Sequence, residues 1–114
     1  MTTRTLVLDD ERMIRDLMTR GLTRVGHEVE AVSNSEEALS MMTKKDFDIA
    51  LVDWNLDNGQ TAFGTIEVMR KLQPDCTIIV MSGLLPDGLE EITISKPCGF
   101  KTLLSTINDA LERR

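Results

Sequence analysis

The chain contains no tyrosine, one tryptophan and three phenylalanines among 114 residues, so its core must be built from Leu, Ile, Val and Met. Its two cysteines, Cys76 and Cys98, lack metal-type spacing and are too few for the disulfide framework of a small secreted domain. Both read as small apolar fillers. Residues Met1 to Leu8 hold no long apolar run, so neither a signal peptide nor a membrane span is expected there. Positive charge is also scarce: 13 Lys and Arg face 19 Asp and Glu, for a net charge of -6. That argues against the basic footprint of direct nucleic-acid binding. With 41% hydrophobic and 28% charged residues, the composition is that of a globular protein, expected to be cytoplasmic and a single domain over residues 1–114. No repeat, linker or low-complexity segment interrupts it.

The stretch Ile49-Ala50-Leu51-Val52-Asp53 organises the rest. Four apolar residues run unbroken into an acid, and Leu56-Asp57-Asn58-Gly59 then ends the run. Such a segment reads as a strand buried on both faces, as in a parallel sheet. A carboxylate at its end would lie on the sheet's carboxyl edge, where open α/β folds place ligands. Taken alone, the acid could equally be a turn opener.

Other strands are expected at 4–8, 27–32, 77–81 and 92–95. Between them, helical spacing predicts a helix over 12–25, with residues 13, 14, 17, 18, 22 and 25 on one face and Gly26 as its cap. Asn34-Ser35-Glu36-Glu37 reads as a capping box that starts a second helix, ending near Lys44-Lys45. A third carries Phe63, Ile66, Met69 and Leu72 before Pro74. The last, over about 99–112, is expected to bury Phe100, Leu103, Leu104, Ile107 and Leu111. Strands alternating with helices imply a doubly wound parallel sheet with helices on both faces.

In such a sheet the strand ends share one edge. The first offers Asp9, Asp10 and Glu11, the third Asp53, the fourth Ser82 and the fifth Lys96. Clustered carboxylates persist where a cation neutralises them, and Asp with backbone oxygens suits Mg²⁺. A carboxylate can attack phosphorus to give an aspartyl phosphate. Lys96, the ion, the Ser82 hydroxyl and backbone amides would then stabilise the charge on the transferred group.

These residues resemble the receiver domain of two-component response regulators. The resemblance runs over the whole chain and rests on Asp9-Asp10, then Asp53-Trp54-Asn55, Ser82-Gly83 and Lys96-Pro97. It implies a flavodoxin-like five-stranded sheet of order 2-1-3-4-5. Asp53 would accept a phosphoryl group from a sensor histidine kinase, a phosphotransfer protein or a small donor. Asp10 and Asp53 would hold Mg²⁺ directly, Asn55 through its backbone carbonyl and Asp9 through water. Lys96 would pair with the phosphoryl oxygens, Ser82 would swing to bind them, and the Lys96–Pro97 bond would be cis. A separate effector would read the change around residues 83–96, in a monomer or weak dimer that meets neither nucleic acid nor membrane. The chain would be a phosphoryl acceptor that dephosphorylates itself, and not an enzyme acting on other substrates.

Two departures stand out. The aromatic that receivers carry three positions before the lysine is Thr93 here. Only residues 83–91 remain for the fourth crossover, with Pro86 and Gly88 among them, so the fourth helix is expected to be absent or truncated. Leu84, Leu85 and Leu89 would be partly exposed or patch the gap. These departures favour one rival, a degenerate receiver that binds partners without phosphorylation. A second rival resembles haloacid-dehalogenase phosphatases, which also use an aspartyl nucleophile, but those carry a second Asp where this chain has Asn55. Elsewhere the plainer readings prevail: His27 as a surface or strand-start residue, Glu11 as a first-turn helix residue, the methionines as core, and Trp54 packing away from Asp53.

Overall fold

The computed structural model describes residues 2–56, 61–83, 91–96 and 99–113. Leu84, Leu85, Leu89, Pro97 and Cys98, on which several expectations fell, lie outside them. Five strands alternate with four helices among the described residues: β1 (Arg4–Leu8), α1 (Arg12–Arg24), β2 (Glu28–Val32), α2 (Ser35–Met42), β3 (Ile49–Asp53), α3 (Phe63–Leu72), β4 (Thr77–Ser82), β5 (Ile92–Ser95) and α4 (Phe100–Glu112). All strand pairs are parallel, in the order β2-β1-β3-β4-β5. This is the expected architecture. The fourth crossover, including Pro86 and Gly88, falls almost wholly outside the described residues.

The unbroken apolar character of β3 has a direct cause, since every one of its five residues is buried. Ala50 and Val52 join Leu6, Leu8, Ile78 and Val80 beneath α2 and α3, in a core with Met42, Ile66 and Met69. Ile49 and Leu51 join Val7, Ile79 and Met81 on the opposite face, against Met18 and Leu22 of α1 and Leu103 and Ile107 of α4. Alternation along each strand thus fills two separate layers. Trp54 packs at the margin of the first layer, while Ile92 and Ile94 of β5 belong to the second.

Local signals set the helix ends. Gly26 adopts φ +97, a left-handed conformation open to glycine. With it, His27 N–H donates to the Leu22 carbonyl and Gly26 N–H to that of Thr23, at 3.0 Å each. That pair closes α1 as a Schellman turn. Asn34 caps α2, its Oδ1 accepting from Glu37 N–H at 2.9 Å. The reciprocal half of the capping box differs from expectation, because the Glu37 carboxylate takes the Asn34 side-chain amide at 2.7 Å rather than the backbone amide.

The helix faces also need correction. In α1 the inward residues are Ile14, Met18 and Leu22, whereas Met13 and Leu17 are 73% and 57% exposed. Six apolar residues span more arc than one sheet face can cover. Phe63 and Leu72 likewise end exposed on the flanks of α3. Phe100, expected in the core, also stays exposed, although its ring lies over Gly21 of α1, in the space a side chain there would fill. His27 precedes β2 but is buried, sharing a 2.9 Å hydrogen bond between its Nδ1 and the Thr5 hydroxyl.

Candidate functional site

Register brings the chemistry together. Leu8 pairs with Val52, Asp53 with Met81, and Ser82 with Ser95. The residues at or just beyond these pairs (Asp9, Asp53, Ser82 and Lys96) therefore emerge along one edge. Backbone hydrogen bonds hold that edge in place: Lys96 N–H donates to the Ser82 carbonyl at 2.8 Å and Trp54 N–H to that of Met81 at 2.8 Å.

The Lys96 ammonium is the centre of the cluster. It donates to Asp9 Oδ2 at 3.0 Å and lies 3.4 Å from Asp53 Oδ1. Asp9 is fully buried and Asp53 nearly so, while Asp10 is half-buried. Carboxylate oxygens of Asp9, Asp10 and Asp53 lie within 4.8 Å of one another. Glu11 N–H donates to Asp9 Oδ1 at 2.9 Å, so both oxygens of Asp9 have partners. The Asp10 carboxylate has neither hydrogen bond nor ion pair among the described residues.

Asn55 links the acid to the hydroxyl. Its backbone N–H donates to Asp53 Oδ1 at 3.3 Å, and its side-chain amide to the fully buried Ser82 Oγ at 3.4 Å. Glu11 is exposed at the α1 cap position, one residue before the first turn, with its backbone amide rather than its carboxylate turned to the cluster. Every residue predicted for the site is thus in the cluster or adjoins it. Arg15 was not anticipated, although its Nη1 donates to the Asp9 carbonyl at 2.9 Å. The signal was its position one turn into α1, because helical side chains lean back over the preceding turn.

Electrostatics follow from this crowding. Burial pushes the Asp53 carboxyl above its ordinary value; the Lys96 charge opposes that, the Asp9 charge adds to it, and the Asn55 amide opposes it. Burial alone would lower Lys96, but hydrogen bonding and charge from Asp9, joined by Asp53, raise it. Three acids against one amine leave the pocket short of positive charge. An all-oxygen donor set with one unpartnered carboxylate suits a hard divalent cation such as Mg²⁺.

A five-stranded parallel sheet of this order, with acids, a hydroxyl and a lysine on its carboxyl edge, defines the receiver class of signalling domain. The chain belongs to the response regulator receiver domain family, whose model matches residues 5–108. It is 30% identical over 115 residues to the DNA-binding transcriptional regulator NtrC of Azospirillum brasilense, an alignment covering 93% of this chain and 24% of that protein. It is 29% identical to the probable transcriptional regulator ycf27 of Cyanidium caldarium, covering 95% and 46%. The chain therefore spans about a quarter to a half of these relatives.

Among solved structures, a CheY-like receiver domain protein from Methanospirillum hungatei superposes with a TM-score of 0.91 at 26% identity, covering 99% of this chain and 96% of that one. A response regulator protein from Burkholderia pseudomallei, solved with a phosphorylated aspartic acid, calcium ion and citrate, gives 0.82 at 28% identity, covering 96% and 69%. No described helix is long and apolar enough to cross a membrane.

Proposed function

We propose that this chain is a phosphorylation-dependent signalling switch in which Asp53 accepts the phosphoryl group. The observation that carries the reading is Lys96, whose amine reaches both Asp9 and Asp53 across 87 positions of sequence in the first case. That contact unites the carboxylate, the amine and the acidic pair in one pocket. The solved relative with a phosphorylated aspartic acid and a bound calcium ion supports the same chemistry here.

In the reaction, an Asp53 oxygen bonds to phosphorus as the bond from phosphorus to the donor breaks. The donor is a histidine imidazole of a sensor kinase or phosphotransfer protein, or the carboxylate of a small acyl phosphate. The leaving group carries away the bonding pair and takes up a proton where its basicity requires one. Lys96 stands where it can pair with the incoming phosphoryl oxygens. Ser82, now bonded by Asn55, supplies a further donor once its hydroxyl turns toward them. Asp10 and Asp53 would hold Mg²⁺ directly with the Asn55 carbonyl; Asp9, with both oxygens occupied, would act through water. The ion, when bound, offsets negative charge on the phosphoryl oxygens.

The output is a surface change around residues 83–96, read by a separate effector, and the protein works as a monomer or weak dimer. Its phosphate is lost by self-catalysed hydrolysis rather than by turnover of other substrates. Incubation with acetyl phosphate and Mg²⁺, followed by intact-mass measurement, tests the proposal. One phosphoryl adduct is expected, absent in Asp53→Asn. Failure to gain mass even with kinases of the same cell would instead support the phosphorylation-independent binding module, which Thr93 and the short crossover favour. Turnover of many phosphoesters would support a phosphatase.

A further inference from the structure

We propose that Arg15 is a positioning residue of the cation site, holding the Asp9–Asp10 peptide so that the Asp10 carboxylate points at the ion. The inference rests on the Mg²⁺ reading above and concerns a residue that reading leaves unused.

Helix α1 begins without a side-chain cap, since Glu11 at the cap position makes no such bond. The turn before it is pinned through Asp9 instead. Asp9 N–H donates to the Val32 carbonyl at 3.2 Å, its Oδ1 accepts from Glu11 N–H at 2.9 Å, and its carbonyl accepts from Arg15 Nη1 at 2.9 Å. The last bond falls on the peptide that joins Asp9 to Asp10. Rotation of that peptide would swing the Asp10 side chain, which no partner of its own restrains among the described residues. Lys96 holds Asp9 and Asp53 but not Asp10. The direction of Asp10 is therefore inherited from the backbone, and Arg15 restrains that backbone from the helix side.

The half-buried guanidinium also makes a telling choice of partner. It forms no ion pair among the described residues and bonds a carbonyl instead. Its charge can thus ease repulsion among the acids without occupying an oxygen needed for the ion. Partners that orient the ligands of a metal commonly matter about tenfold or more to affinity.

The test is a Mg²⁺ titration followed by backbone amide shifts, paired with urea denaturation in Mg²⁺-free buffer. Arg15→Met keeps the apolar stem and removes charge and donors; it should weaken Mg²⁺ binding about tenfold. Arg15→Lys, which restores a charged donor, should recover most of that loss. Should the Met variant fail to fold, Arg15→Gln takes its place, with binding again weakened several-fold. Wild-type affinity in a folded Met or Gln variant overturns the proposal, as does a loss of stability with affinity unchanged, the mark of a mere helix-capping role. No Mg²⁺ binding by the wild type would sink the cation site itself and this inference with it, an outcome distinct from failure at Arg15 alone.

Discussion

Asp53 is an acid held at a disadvantage by its own surroundings, chiefly burial, with the Asp9 charge adding to it. Its folded-state pKa lies above the ordinary 3.8, so between those values the folded chain holds a proton that the unfolded chain has released. Stability is therefore favoured below 3.8 and lost as pH rises through the folded value. At neutral pH without metal, Asp53→Asn should raise the urea midpoint, and the gain should shrink on acidification. An unchanged midpoint at neutral pH would contradict the electrostatic account.

His27 is a second group under strain of this kind. Burial pushes its imidazole below 6.5, with the Asp48 charge pulling the other way. The unfolded state then takes up a proton first as pH falls. Stability is full above 6.5 and declines from there until the folded-state value is passed. His27→Gln should flatten that part of the stability profile, as followed by urea denaturation across the mildly acidic range. The burial of His27 was not legible beforehand. A lone histidine after a glycine reads as surface, and only the closing of β1 against β2 places the Thr5 hydroxyl beside it.

At the scale of elements, the cap of α2 offers the simplest quantity. Asn34 satisfies the Glu37 amide and also binds the Glu37 carboxylate. Asn34→Ala should cost about 1 kcal/mol in urea unfolding, and Asn34→Gly only a few tenths. That helix start was readable because capping is local chemistry. Helix faces were readable in outline but not in width. Spacing marked residues 13, 17, 63, 72 and 100 as apolar, yet it could not say how much arc the sheet covers. Where coverage ran out, Met13, Leu17 and Phe63 stayed in solvent. The strand ends were far more legible, since any parallel sheet must deliver them to one edge, and Asp9, Asp53, Ser82 and Lys96 did converge there. Arg15 escaped notice because its partner is a carbonyl, and a sequence displays no carbonyl as distinctive.

For the molecule as a whole, the buried charge of Asp53 opposes stability, and the proposed cation would offset it. A ligand that binds the folded state alone stabilises it by mass action. Mg²⁺ at about a hundred times its dissociation constant should add about 2.7 kcal/mol to unfolding free energy. The gain should be largely lost in Asp10→Asn, and calorimetric melting with and without the ion would reveal either result.

The reach of the Lys96 amine to an acid 87 positions earlier has a bearing on quality control. A nascent or denatured polypeptide carries the same carboxylates with no ammonium stationed beside them, so on the proposed mechanism it is a poor recipient. Competence arrives only when β5 has docked against β4. A phosphorylated molecule would thereby carry proof of its own maturity, and immature copies would be kept out of the signal.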